Sequence, residues 1–343
     1  MHAFDPSADH LKAALPDVHW LATEAEFYAL GADLFHLAMH PEHRDRAFDA
    51  LLDRSHREPI TILCEKPMAA PEDPEKCWAI RQAIDRARAV VLYDFPELYD
   101  PLLGRIMQFL RGFKDVRIDS IDVQRSKDRE DPANPRNRKR MVSIQFQESV
   151  HCLAFALHVL SAFAGGVEAL LNQGCSLEGT SRIYRPPNPE DYPYAVDGYC
   201  EYQALLGTTV VKGCTNFLRG APWAKRRVLR GTGDGQAFTI VADFLEGAKQ
   251  LLINGESQSD VLGTDSYEEV IKTCGTWCRQ ETAESLPRGL YPHPRFAHVT
   301  YQLSSMLWRS CHDQQSLHRA TLADVMSFDA MFAAAVPSLP RYA

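Results

Sequence analysis

The sequence predicts an α/β chain in two parts: a doubly wound parallel sheet over residues 1–98, then an α+β domain with an open antiparallel sheet over residues 99–343. Two observations carry this reading. Up to Val91, short apolar runs alternate with helical stretches of roughly ten residues, the pattern of βαβ units. Beyond Leu98, strands that alternate apolar and polar residues follow one another with turns between them, as in an antiparallel sheet.

In the first part, the apolar residues 2–4 end in Asp5-Pro6-Ser7, a helix fits 8–15, and 18–22 is a second short apolar run. Residues 24–30 are helical, 33–39 a strand, 43–55 a helix and 60–64 (ITILC) a strand. A helix over 74–88 sets Trp78, Ile80, Ile84 and Ala87 near helical spacing, and the strand 89–93 (AVVLY) closes the set before Asp94-Phe95-Pro96.

In the second part, a helix over 101–113 leads into 116–126 (VRIDSIDVQRS), which alternates like a half-buried strand, and then into a polar loop over 127–140. A helix over 148–163 follows, with Ala154, Ala156 and Leu157 on its apolar face. Strands are expected at 198–205, 208–215, 226–230 and 237–242, and helices at 296–311 and 321–334. The cluster Gly231-Thr232-Gly233-Asp234-Gly235 lies between two of these strands with no helix opening after it. It reads as a hairpin turn, since it has no helix N-terminus to present to a pyrophosphate.

Composition narrows the function classes. The chain has 343 residues, 45% of them apolar, enough for cores of ordinary size. Its net charge of −8 gives no general field for a phosphate backbone, and the basic run 136–140 (RNRKR) reads as a solvated loop, so no nucleic-acid partner is expected. No run is long and apolar enough to span a bilayer and the start has no signal-peptide pattern, so the expectation is a cytoplasmic protein without a membrane partner. Nine scattered cysteines, several inside apolar runs, read as reduced thiols. The pair Cys274 and Cys278 lacks zinc-site spacing, and no metal is expected.

The most specific run is Cys64-Glu65-Lys66-Pro67, directly after the strand ITIL and before a helix. That is the carboxyl end of a parallel strand, where open α/β sheets bind ligands. A lysine there, short of water and beside a carboxylate, can transfer a proton or stay charged and hold a hydroxyl. Glu148-Ser149-Val150-His151 opens the long helix of the second part. Residues three apart share a helical face, so a carboxylate and an imidazole suited to proton transfer can converge there. His158 reads instead as a hydrogen-bonded core histidine.

Glu-Lys-Pro after a buried strand resembles the signature of the glucose-fructose oxidoreductase and inositol dehydrogenase family. Residues 33–52 (DLFHLAMHPEHRDRAFDALL) resemble its strand-loop-helix, with Met39-His40 in place of the usual Thr-Pro. Residues 317–338 resemble its closing segment, in which an acidic residue follows a capping Ser or Thr. The resemblance implies a Rossmann-type first domain, NAD or NADP as cofactor, and a sugar or polyol as substrate. It also implies Lys66 and His151 as the catalytic pair with Glu148 as acidic partner, and Ala38, Met39, His40, Glu65 and Lys66 along the cofactor. Glu148 fits only one sub-pattern of the family; the other would place an aspartate where Gln147 stands.

Asp5 ends what looks like the second strand of such a fold, where a carboxylate accepts from the ribose 2′-hydroxyl and favours NAD; it reads equally as a turn residue and helix cap. The first strand and its glycine-rich phosphate loop are expected some thirty residues before Asp5. Three accounts are open for that segment: a start assigned too late, a fragment, or a loss of the loop. The retained Lys66, Glu148 and His151 favour an oxidoreductase. The missing loop, and Pro96-Glu97-Leu98 in place of the family's basic segment, favour a catalytically silent sugar-binding or regulatory relative. Self-association through the open antiparallel sheet is expected, since such a face usually needs cover.

Overall fold

The computed structural model describes residues 1–6, 9–70, 74–133, 140–192, 195–258, 265–280 and 291–327. The first part runs β1 (His2–Ala3), α1 (Asp9–Lys12), β2 (His19–Trp20), α2 (Glu24–Ala29), β3 (Phe35–Leu37), α3 (Pro41–Ser55), β4 (Ile60–Glu65), α4 (Pro74–Arg86) and β5 (Ala89–Asp94). All its pairings are parallel, but the strands lie in two sheets: β1 with β2, and β3, β4 and β5 side by side in that order. The difference follows from length and burial. β1 and β2 pair over two residues each and stay largely at the surface, whereas β5 is buried along all six of its residues. α2 joins the two sheets, with Phe27 edge-on to Phe35 at 5.5 Å and its last carbonyls, those of Tyr28 and Leu30, each accepting from Arg54 Nη1 of α3 at 2.6 Å.

The second part opens with α5 (Pro101–Arg111). Its start is fixed by Asp100, which accepts from Leu102 N at 2.9 Å with Pro101 in the first helical position, and Gly112 ends it. The following strands are β6 (Val116–Ser126), β7 (Cys175–Ile183), β8 (Asp197–Leu206), β9 (Thr209–Asn216), β10 (Ala224–Gly233), β11 (Gln236–Asp243), β12 (Gln250–Ile253), β13 (Glu256–Ser257) and β14 (Leu317–Arg319). They form one nine-stranded sheet in the order β13-β12-β11-β10-β6-β9-β8-β7-β14, antiparallel throughout except between β6 and β9. Asp234 and Gly235, at φ 50° and 81°, make the two-residue turn between β10 and β11, so the glycine cluster is the hairpin that the sequence predicts.

Helices α6 (Val150–Ala164), α7 (Val167–Leu171), α8 (Ser266–Gln280), α9 (Pro294–Asp313) and α10 (Leu322–Met326) complete the chain. α6 and α9 pack on one face of the large sheet; α9 sits so close to β7 that a Cβ on Gly179 would stand 2.8 Å from Leu307 Cδ1. α8, an element beyond those expected from the sequence, covers one face of the parallel sheet: Val270 and Cys274 pack on Leu63, Val90 and Leu92. β7, β12, β13 and β14 are likewise additional strands, short or poorly alternating in sequence. The expected helix 321–334 is seen as α10, opened by a reciprocal Thr321–Asp324 capping box and ended at Ser327; residues 328–334 lie outside the described residues. The helix expected from residue 148 is in fact preceded by a π-helical turn, Gln145–Ser149, with α6 beginning at Val150.

Among the described residues no helix is long and apolar enough to cross a membrane. The eight described cysteines all carry free thiols, and seven of them are buried. His158, half-buried, lies edge-on to Tyr291 and Phe296, its pKa pushed down to about 4 by burial.

Candidate active site

β4 ends at Glu65, and the chain leaves the sheet through a cis Lys66–Pro67 peptide. Arg44, on α3 and 2% exposed, holds this turn: its guanidinium donates to the carbonyls of Glu65, Pro67 and, at 2.9 Å, Met68. Against the turn opens a cleft of about 520 Å³. One wall is the β3–α3 connection, Ala38, Met39, His40 and Pro41, with His43. Glu65, Lys66 and Pro67 form another, and Arg140, Val142 and Gln147 close it from the second part. The structure thus gathers five expected site residues, Ala38, Met39, His40, Glu65 and Lys66, at the carboxyl ends of neighbouring parallel strands. Arg140, read from the sequence as part of a solvated basic loop, lines the cleft; residues 134–139 lie outside the described residues.

Lys66 spans the two parts, its Nζ donating to the backbone carbonyl of Gln147 at 2.6 Å. Burial pushes its amine down to about 8, against the pull of Glu148 and Glu65. Glu148 is 4% exposed and committed elsewhere: it accepts from Arg125 Nε, and from Lys127 Nζ at 3.1 Å. Burial alone would raise its pKa, but Arg125, Lys127 and Lys66 together hold it well below the ordinary carboxylate value. Arg125 also bonds Glu97, which in turn accepts from the buried Arg227 Nη2 at 2.5 Å.

His151 is 5% exposed, lies outside the lining of the cleft, and faces the Phe95 ring edge-on at 6.1 Å. Burial, reinforced by the charges of Arg125 and Lys66, drives its pKa well below the usual value, so the imidazole is neutral at physiological pH. Its Nδ1 is buried without a hydrogen-bond partner. Glu148 and His151 are neighbours electrostatically but share no hydrogen bond: the π turn breaks the 3.6-residue spacing on which their expected convergence relied. Asp5 is exposed just after β1 and does not line the cleft.

Several residues here escaped the sequence reading. Arg125 and Lys127, two apart at the end of β6, share a strand face and both reach Glu148, a signal that could have been read. Arg44 and Gln147 act through backbone carbonyls and leave no sequence signal. Asp94 ends β5 wholly buried; burial and the adjacent Glu65 carboxylate raise its pKa to about 8, against the pull of Lys66.

A parallel Rossmann-type sheet followed by a large, mostly antiparallel sheet is the architecture of the glucose-fructose oxidoreductase and inositol dehydrogenase group, and this chain has that fold. Three solved structures illustrate the likeness. A myo-inositol dehydrogenase from Corynebacterium glutamicum superposes with a TM-score of 0.63 at 12% identity, covering 93% of this chain and 90% of its own. An oxidoreductase from Agrobacterium radiobacter, in complex with NAD+, L-tartaric acid and magnesium, gives 0.63 at 12% over 95% and 91%. The transcriptional regulator Gal80p from Kluyveromyces lactis gives 0.61 at 11% over 96% and 87%. No family model and no curated protein sequence matches the chain.

Proposed function

We propose that the protein is an NAD(P)-dependent oxidoreductase acting on a secondary hydroxyl of a sugar, inositol or related polyol. The observation that carries this reading is Lys66, a desolvated amine at the mouth of the parallel sheet, on a cleft that both parts of the chain enclose. The cleft suits the nicotinamide end of a dinucleotide. It lies at the carboxyl ends of β3 and β4, beside the N-terminus of the fifteen-residue α3, and its Met39 and Pro41 offer apolar surface to a planar ring. When bound, that ring supplies the hydride acceptor.

The protein's own task is the hydroxyl proton. At neutral pH Lys66 is mainly charged, already donates to one carbonyl, and has further donors with which to hold a substrate oxygen. His151, kept neutral just behind the cleft lining, keeps a lone pair for the hydroxyl proton, and the negative charge of Glu148, fixed by Arg125 and Lys127, is what favours its protonation against burial. Asp5, as acceptor for a ribose hydroxyl, would favour NAD over NADP. We further propose that copies associate through the open face of the large sheet, a charged saddle of about 770 Å³ that includes Asp122, Glu201, Lys212 and Arg230.

The test is turnover of polyols and sugars with NAD+ and NADP+. Lys66→Met and His151→Asn should each lower kcat at least about a hundredfold with the fold intact, the usual contribution of an acid–base group. Activity that survives in His151→Asn would move the base role to another residue. A second reading, a binding or regulatory relative, is favoured by one observation: the Glu148 carboxylate is already held by two cations. The absence of turnover on every substrate, with polyol or nucleotide binding retained at the cleft, would select it.

A further inference from the structure

We propose that His36, Glu65 and Asp94 form a binding site for a divalent cation of the class that accepts one imidazole and two carboxylates, such as Mn2+ or Zn2+. The three residues come from three adjacent parallel strands. Glu65 and Asp94 are the last residues of β4 and β5 and stand opposite each other in register. His36 of β3 stands opposite Leu63, two residues before Glu65, so the two-residue period of a strand puts all three side chains on one face of the sheet. One donor atom from each lies within 4.8 Å of the others. Donors on one ion stand about 3–4 Å apart, so a small rotation of the side chains closes the site.

What points to a ligand is the state of these groups. Asp94 is 0% exposed, its carboxylate faces Glu65 and His36, and no donor reaches either of its oxygens; the contact it makes with Glu65 is carboxyl to carboxyl and becomes a hydrogen bond only if one of the two holds a proton. The His36 ring is partly exposed, but its Nε2 is buried and has no hydrogen-bond partner. Buried polar atoms are almost always satisfied, and here three on two residues face one another. The groups packed nearby are engaged elsewhere or apolar: α8 presents Val270 and Cys274, Tyr291 gives its hydroxyl to the Tyr93 carbonyl, Tyr99 is engaged with Tyr291, and the cation that acts on Asp94, Lys66, donates to Gln147. Tyr267 of α8 is close enough to feel both carboxylates, but no hydrogen bond joins it to them. A divalent ion would satisfy all three orphaned atoms and offset the two carboxylates at once. The competing arrangement is a proton shared between Glu65 and Asp94, which would leave His36 Nε2 unsatisfied. Glu65 also lines the cleft, so a bound ion would adjoin it. The inference does not depend on the oxidoreductase reading.

The experiment is titration of the full chain, freed of metal by chelator, with MnCl2 followed by electron paramagnetic resonance and with ZnCl2 followed by calorimetry. Expected is one saturable equivalent, with a rise in melting temperature. His36→Gln and Asp94→Asn should each weaken binding by more than about tenfold, as loss of an ion's direct ligand does at least as strongly as loss of an outer partner. If Asp94→Asn fails to fold, His36→Gln, whose side chain is less deeply set, decides. Absence of a stoichiometric site in the parent protein overturns the proposal, as does undiminished binding in the folded variants. A parent that ignores both metals while Asp94→Asn raises its melting temperature would establish the shared proton instead.

Discussion

Replacing Arg44 by methionine tests whether the Lys66 turn is held from α3. The guanidinium serves three backbone carbonyls, those of Glu65, Pro67 and Met68. Glu65 is partly exposed and water can replace the lost donor there, whereas Pro67 and Met68 are buried and their carbonyls would be left bare. With roughly 1.5–3 kcal/mol for each hydrogen bond to a charged group, the two buried losses amount to about 3–6 kcal/mol. For a chain of this size a urea slope of about 3–4 kcal/mol per molar converts that into a midpoint lower by roughly 1 M. Arg44→Lys keeps a charge but places a single amine where a planar fork spans three acceptors, so about half of the loss should remain. Urea unfolding followed by circular dichroism measures both variants, and amide exchange should show the segment after β4 opening first. A methionine variant within about 0.2 M of the parent would refute the argument, because the carbonyls would then be satisfied some other way.

Acid should destabilise the protein in two stages. His151 resists protonation in the fold, so as pH falls below its ordinary 6.5 the unfolded chain takes up a proton that the folded chain does not, and stability drops. Glu148, held well below its ordinary 4.5, adds a second loss as pH falls below that value. Urea midpoints across this range should lose part of the upper stage in His151→Asn, the remainder belonging to His158 and His36, and part of the lower in Glu148→Gln, the remainder belonging to Glu97; unchanged slopes in these variants would contradict the assignments. Self-association through the open sheet face is checked by sedimentation velocity. Lys212→Glu should shift the protein toward monomer, and a parent that is already monomeric at micromolar concentration would dispose of the interface.

The sequence by itself determined the elements and their order wherever a single period ran long enough to be read. ITILC and AVVLY became β4 and β5, the alternating VRIDSIDVQRS became β6, and the Asp234-Gly235 hairpin could be read because a two-residue turn needs both residues at positive φ. Lys66 was legible for the same local reason, since a buried strand followed at once by a turn marks a sheet end. Tertiary structure decided what depends on partners distant in sequence. The two-residue β1 and β2 pair with each other apart from β3, because so short a ladder carries no register signal. Glu148 faces Arg125 and Lys127, not His151, because a π turn, which no residue pattern announces, alters the helical spacing just before α6. Arg44, Gln147 and the meeting of His36, Glu65 and Asp94 were decided there too. Each depends on a backbone carbonyl or a strand register that brings together residues 21 to 81 positions apart, and only the folded sheet sets those distances.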